Sequence, residues 1–306
     1  MITFLQATVE GLSLAAIYSL VAIGFVLIYK SMDVLSFAQP ALAVVGAGII
    51  SALAVDRGFP FLPSLILAIL LTGILSSTVE RTFLRPMVGE PVFSVAVLTI
   101  GIDILLRTLL DSWIGVSPRY LGDPFPNYGT LGSFNIGGIN LKYLEISALL
   151  TAIILISILS IFFKKSKYGV AMRATSFDQE AALAQGINVG RVFGLAWFIG
   201  GLLAAIAGFV FTGGFNTLTQ LSFVLALRAL PAVVIGGLDS IPGAIVGSLI
   251  IGVTQSLAGY YQYSIEGYFD INLGLGFSTV APYIIMFFIL LVKPEGLFGT
   301  KEVERV

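Results

Sequence analysis

The sequence predicts an all-α polytopic membrane protein, with about eight or nine transmembrane or half-membrane helices and one short cytoplasmic helix between two of them. Three observations carry this. The 306 residues are 57% hydrophobic. Only 11% are charged, against the roughly 25% typical of a soluble domain. Apolar runs of about 18 residues or more recur along the chain, the length a helix needs to cross roughly 30 Å of hydrocarbon.

Nine apolar segments follow in order, at about 8–29, 35–55, 61–79, 92–112, 145–163, 192–213, 222–237, 243–260 and 279–292. The first lacks a preceding basic region and reads as a retained span, not a cleaved signal. The segments at 222–237 and 243–260 are short enough to be half-helices or re-entrant pieces. With the N-terminus outside, nine crossings place eleven basic residues on the cytoplasmic side: Lys30, Arg81, Arg85, Lys164, Lys165, Lys167, Arg173, Arg191, Lys293, Lys301 and Arg305. Three, Arg57, Arg119 and Lys142, fall outside, and Arg107 and Arg228 fall within segments. The positive-inside rule selects that orientation.

Composition excludes several functions. Cysteine and histidine are absent, so there is no disulfide framework, Cys/His metal site, histidine triad or histidine proton relay. A net charge of −1 argues against a nucleic-acid partner, which needs a basic footprint; the expected surroundings are membrane lipid. None of the seven lysines follows a glycine, so no P-loop is possible. No catalytic acid–base pair and no metal ligands are expected.

Two long extramembrane stretches are predicted within one transmembrane domain spanning residues 1–306. The outer loop, about 113–143, is rich in Pro, Gly and aromatics. It reads either as an interfacial cap or as a docking surface for a partner. The inner loop, 164–191, predicts a short helix. Ser176 and Gln179 fit a capping box, Asp178 and Glu180 suit the first turn, the alanines favour helix, and Gly186 suits the C′ position. The helix is expected to hold about 9 residues, roughly 14 Å, with Phe177, Ala181 and Ala184 on one face.

Within the segments, Gly200, Ala204 and Gly208 form a small-residue ridge suited to close helix packing. Pro40, Pro231 and Pro242 interrupt or open apolar segments, and Gly/Pro-broken segments in separate parts of a chain point to a transport path. Ser36-Phe37-Ala38-Gln39-Pro40 and Leu238-Asp239-Ser240-Ile241-Pro242 precede two such segments in a faintly repeated way. Asp103, Arg107 and Asp111 share one helix face by their spacing of four. They either neutralise one another or line a path. Arg228 has no partner within four residues, and an intramembrane charge is a functional candidate. Snorkelling and pairing with Asp103 are its alternatives.

Glu180-Ala181-Ala182-Leu183-Ala184-Gln185-Gly186 has the pattern E-A-A-x-x-x-G. It resembles the coupling-helix signature of ABC importer permeases. Its setting, YGVAMRATSFDQEAALAQGINVGRV, resembles the loop of branched-chain amino acid permeases of the LivH type. GFVLIYKSMDVLSFAQPAL, ALPAVVIGGLDSIPGAIVGSLIIG and LLVKPEGLFG agree with the same family in the expected order. The resemblance implies a multi-pass subunit in a prokaryotic inner membrane, pairing with a second permease of the LivM type, two cytoplasmic ATPases and an extracytoplasmic binding protein. ATP would be bound by the partners, and this chain would need no cofactor. It maps Glu180, Ala181, Ala182 and Gly186, with Phe177 beside them, to ATPase coupling. Family members often carry N-F-A-H-G at the position of Ser36 to Pro40, and a Lys at the position of Arg228. Ser36, Phe37, Gln39, Pro40 and Arg228 are path candidates at these positions, and Asp103 is one by its intramembrane charge. The implied cargo is a branched-chain amino acid or a related small polar solute such as urea, an amide or an aromatic acid. A stand-alone secondary transporter is the alternative.

Overall fold

The computed structural model describes residues 2–122, 132–214, 217–219, 226–274 and 276–300. Among these, seven helices are long and apolar enough to cross a membrane. They are α1 (Ile2–Met32), α2 (Gln39–Ser51, running on as a π turn to Asp56), α3 (Phe61–Val79), α4 (Val92–Ile114), α5 (Tyr143–Lys165), α8 (Val189–Gly214) and α10 (Ile241–Phe269). Helix α3 continues through a π turn, Glu80–Leu84, and a 3-10 turn, Arg85–Met87. Two short helices, α6 (Lys167–Phe177) and α7 (Gln179–Ala184), connect α5 to α8. The remainder are α9 (Leu230–Gly236), α11 (Phe277–Val292) and a hairpin of β1 (Ser133–Ile136) and β2 (Ile139–Lys142).

The half-membrane expectation fails for segment 243–260. Among the described residues, segment 222–237 yields a helical pair at 226–227, a turn at 228–229 and the seven-residue α9, about 10 Å of helix; residues 222–225 lie outside the described residues. Segment 243–260 is instead the middle of the 29-residue α10. The three prolines do not break helices. Pro40, Pro231 and Pro242 each sit in a first helical turn, where the missing N–H would be unpaired anyway. The breaks are the non-helical stretches before them. Pro282, which the sequence reading passed over, does lie inside a helix, α11.

Helix α1 is the axis of the bundle. Its most apolar window is 89% buried, whereas that of α5 is 17% buried. It packs against α10, α8 and α5. Glycines set how closely these helices meet. A Cβ on Gly252 of α10 would stand 2.5 Å from the Ala15 nitrogen, and one on Gly208 of α8 2.0 Å from the Ala43 oxygen. Backbones therefore touch where side chains would otherwise keep them apart. The expected ridge on α8 is used in this way: Gly200 faces Ile28 of α1 and Gly208 faces α2, with Ala204 buried between them.

The two ends of α1 are about 46 Å apart and mark two faces of the bundle. At one face Gln6 and Asn140 exchange hydrogen bonds of 2.9 and 2.8 Å. Lys142 there pairs with Glu145 at 3.1 Å and Glu10 at 3.9 Å. Burial alone would lower the Lys142 pKa, but those two carboxylates outweigh it and the net direction is up. At the opposite face Lys30 donates to the Asp239 carbonyl at 3.0 Å. A strap after α11 closes this face: Leu297 and Phe298 donate from their backbone nitrogens to the carbonyls of Ile235 and Gly236, at 2.7 and 3.0 Å. Residues 2–10 and 293–300 therefore lie at opposite faces.

Candidate translocation path and coupling loop

Helix α1 ends at Met32, and Asp33 turns the chain with a positive φ of 54°. Residues 34–38 then run back into the bundle without forming helix. In a membrane such backbone must be paired by protein or water. Part of the pairing comes from α4, where Thr99 Oγ1 accepts from the Phe37 nitrogen at 3.1 Å. Gln39 enters the gap between Gly24 of α1 and Gly200 of α8, and its Nε2 donates to the Gly200 carbonyl at 2.9 Å. Both Gln39 and Ser36 are fully buried, and Gln39 Oε1 and Ser36 Oγ have no hydrogen-bond partner. The helix predicted from residue 35 thus starts four residues late, because residues 33–38 form the entry into the bundle.

A second break precedes α9. There Arg228 lies close enough to the Tyr18 hydroxyl to act on it electrostatically, and Tyr18 donates to Gln255 Oε1 of α10 at 2.8 Å. Arg228 Nε is buried without a partner. Tyr18 is the seventeenth residue of a 31-residue helix, so this cluster sits near mid-membrane. A charge there costs about 2.5–3.5 kcal/mol on the insertion scale. Pairing of Arg228 with Asp103 does not occur. Asp103 is held by Arg107 on its own helix, through Nε at 3.0 Å and Nη2 at 2.5 Å. The spacing of four brings those two together before any distant group can compete. One Asp103 oxygen, Oδ1, remains buried without a partner. Arg107 and Asp111 instead line a pocket of about 130 Å³ near Arg119 and Leu218.

The path candidates therefore fall into three groups: Ser36, Phe37, Gln39 and Pro40 with α1, α4 and α8; Arg228 with Tyr18 and Gln255; and Asp103 with Arg107. Four of them, Ser36, Gln39, Asp103 and Arg228, share one property, a buried polar atom with no bond. Sequence reasoning missed Tyr18 and Gln255. The available signal was a polar side chain in the middle of an apolar span.

The loop between α5 and α8 departs from expectation in four ways. Residues 167–177 are helical as α6, with Ser166 as N-cap accepting from Gly169 at 2.8 Å. The following helix α7 has six residues, not nine, and its cap is Asp178, whose Oδ1 accepts from the Ala181 nitrogen at 2.9 Å. Ser176 instead bonds back to the Arg173 carbonyl inside α6. Asp178 is extended, with φ −157° and ψ 110°, so Phe177 belongs to α6 and shares no helix face with Ala181 and Ala184. The expected end is found: Gly186 has φ 80°, Gly186 N–H bonds Leu183 and Ile187 N–H bonds Ala182. This is a Schellman closure.

Glu180, Ala181, Ala184 and Gly186 are exposed, and Phe177 is 95% exposed. Ala182 faces inward, against Val189 and Phe193 of α8 and Met32 of α1. A cavity of about 850 Å³ opens beside the loop, lined by Lys30, Arg173, Phe177, Leu238 and Glu295 among others. At the start of α8, the fully buried Glu80 holds Arg85 through two bonds of 2.9 and 2.8 Å, and Arg85 also donates to the Gly190 carbonyl at 2.6 Å. The end of α3 is thereby tied to the start of α8, a link the sequence reading did not find.

A family model described as branched-chain amino acid transport system, permease component, matches residues 7–292. The high-affinity branched-chain amino acid transport system permease protein LivH of Salmonella typhimurium is 28% identical over 99% of this chain and 98% of its own length. BraD of Pseudomonas aeruginosa, named for the same transport system, is 26% identical with the same coverage. The galactose/methyl galactoside import permease protein MglC of Haemophilus influenzae is 27% identical over 89% of this chain and 79% of its own length. Among solved structures, PsaBC from Streptococcus pneumoniae in complex with Fab aligns with TM-score 0.50 and 17% identity over 95% of this chain and 92% of that one. That likeness is one of fold.

Proposed function

This chain belongs to the permease-component family of branched-chain amino acid transport systems, and from that premise we propose that it is the membrane subunit of an ATP-driven importer carrying a branched-chain amino acid or a related small polar solute inward. The observation that carries this reading is the loop between α5 and α8. It offers a short helix, closed at both ends by its own residues, with Phe177, Glu180, Ala181, Ala184 and Gly186 turned outward. Ala182 seats that helix on α1 and α8. Such an element can receive motion from a soluble partner and hand it to two spans. The partners are two cytoplasmic ATPases, which bind the ATP, a second permease of the LivM type and an extracytoplasmic binding protein. The N-terminus lies outside and the C-terminus in the cytoplasm, because the basic residues gather at the Lys30 face. The amino-acid cargo is favoured over a sugar because the relatives named for amino acids align over more of both chains.

The test is uptake of labelled L-leucine into proteoliposomes holding the complete complex. Phe177→Asp combined with Glu180→Arg lowers ATP-dependent uptake about tenfold or more, as removal of interface anchors does, and leaves the yield of folded subunit unchanged. Uptake by this chain alone without ATP supports the secondary-transporter alternative and overturns the reading.

A further inference from the structure

We propose that the bundle carries a binding site for an anionic phospholipid at the Lys30 face, with the phosphate held by Lys30 and Arg173 and an acyl chain lying in the crevice beside them. The inference goes beyond the importer reading and needs only that the helices cross a membrane. Helices α1 and α5 end here, at Met32 and Lys165, and α10 begins here, at Ile241. Between them lies a crevice of about 200 Å³. Much of its wall is apolar: Leu27 of α1, Phe163 of α5, Met172 of α6, and Ile241 and Pro242 of α10. The most apolar window of α5 is only 17% buried, so most of that helix faces hydrocarbon. A lipid therefore reaches the crevice from the side, within its own leaflet.

The crevice has two unlike ends. Lys30, Arg173, Ser176 and Asp239 also line the open cavity of about 850 Å³ beside the loop. A ligand lying across that boundary meets an apolar wall, then two cations, then water. That is the order of chain, phosphate and headgroup in a phospholipid, and basic pockets between membrane helices suit anionic headgroups. Both cations have donors to spare. Lys30 spends one on the Asp239 carbonyl, of the three an ammonium carries. The Arg173 side chain is exposed and has no hydrogen bond or ion pair among the described residues. Among those residues, Asp239 is the one acid on the crevice wall. Its carboxylate is taken by Thr300, through Oγ1 at 2.6 Å and the backbone nitrogen at 3.4 Å. Asp33 and Glu295 line only the larger cavity. Lys164, Lys165 and Lys167 follow Phe163 at the same end and are exposed, which strengthens the pull on an anionic lipid. A free phosphate would meet the cations and leave the apolar wall in water. A phospholipid covers both, and it braces α6, the root of the loop, against α10.

The experiment uses the complete complex in phosphatidylcholine vesicles. A trace of phosphatidylglycerol or of phosphatidylcholine, each with a photoreactive diazirine in its acyl chain, is activated by light, and labelled peptides are located by mass spectrometry. The phosphatidylglycerol probe labels the peptides holding Phe163, Met172 and Ile241 about 5-fold or more above the phosphatidylcholine probe. Unlabelled phosphatidylglycerol competes with it and inorganic phosphate does not. Arg173→Gln lowers that labelling about 5-fold, and Lys30→Gln with Arg173→Gln about 25-fold, the scale of removing one and then two cations near an anionic surface. Labelling at Ile153 and Ile158, on the exposed face of α5, stays unchanged throughout. If the double variant does not assemble, Arg173→Gln decides alone, because its side chain ties no other described residue. Equal labelling by the two probes overturns the proposal, as does labelling unchanged in Arg173→Gln. Displacement by inorganic phosphate assigns the cations to a free anion and overturns it. So does a lack of labelling at all three peptides, which means that another subunit covers the crevice.

Discussion

The loop between α5 and α8 and the two breaks within the membrane are built in opposite ways. In the loop each turn is closed by residues a few positions away: Ser166 caps α6, Asp178 caps α7 and Gly186 ends it. Its side chains of interest point outward. In the breaks the partners are remote. Gln39 bonds Gly200, Phe37 bonds Thr99, and Tyr18 bonds Gln255. Buried atoms of Ser36, Gln39 and Arg228 remain unbonded there. A closed, self-contained element transmits a push without deforming. A region with unmade bonds and long-range partners loses least when it rearranges, because fewer native bonds must be given up.

Three substitutions can break or sharpen that contrast. The largest effect is expected in the membrane. A side chain at Gly247 would put its Cβ 2.0 Å from the Ala232 carbonyl, with backbone on both sides. Gly247→Val should cost about 3 kcal/mol or more, and the variant should fail to elute as a single folded species in mild detergent. Normal elution would show that α9 and α10 do not meet backbone to backbone. Next is the tie between α3 and α8. Arg85→Gln leaves the buried Glu80 unpaired. With the guanidinium 38% exposed, the loss should be about 2–4 kcal/mol, at or below the usual range for a broken buried pair. Adding Glu80→Gln should restore part of the lost Tm, and no recovery would mean that the pair is not what holds α3 to α8. The smallest effect is Asp178→Ala, about 1 kcal/mol for a lost N-cap. Amide hydrogen exchange should rise across 179–184 and stay unchanged in α1. A global fall in protection would show that the loop is not self-contained.

Legibility in the sequence follows the same division. The long spans, the charge asymmetry and the Gly186 closure depend on composition or on neighbours within a turn, so they could be read. The α7 cap was misplaced by two residues because Ser176 and Asp178 are both good caps, and only the backbone of α6 decides between them. Tyr18, Gln255 and Arg228 come from three elements far apart in the chain. No local pattern joins them. Pro40 and Pro231 signalled the breaks correctly but from the wrong side, since each begins the helix after the gap. The link from Glu80 to Gly190 could not be seen, because it depends on how α3 and α8 lie together.

The strap after α11 has a consequence for how the protein is made. The carbonyls of Ile235 and Gly236 end α9 at the Lys30 face, and their partners are the nitrogens of Leu297 and Phe298, sixty-two positions later. At about 5–20 residues per second, a ribosome needs roughly 3–12 s to supply them. Until then those two carbonyls, at the Lys30 face, have only water to bond. Closure of this end therefore waits on residues translated after every described helix.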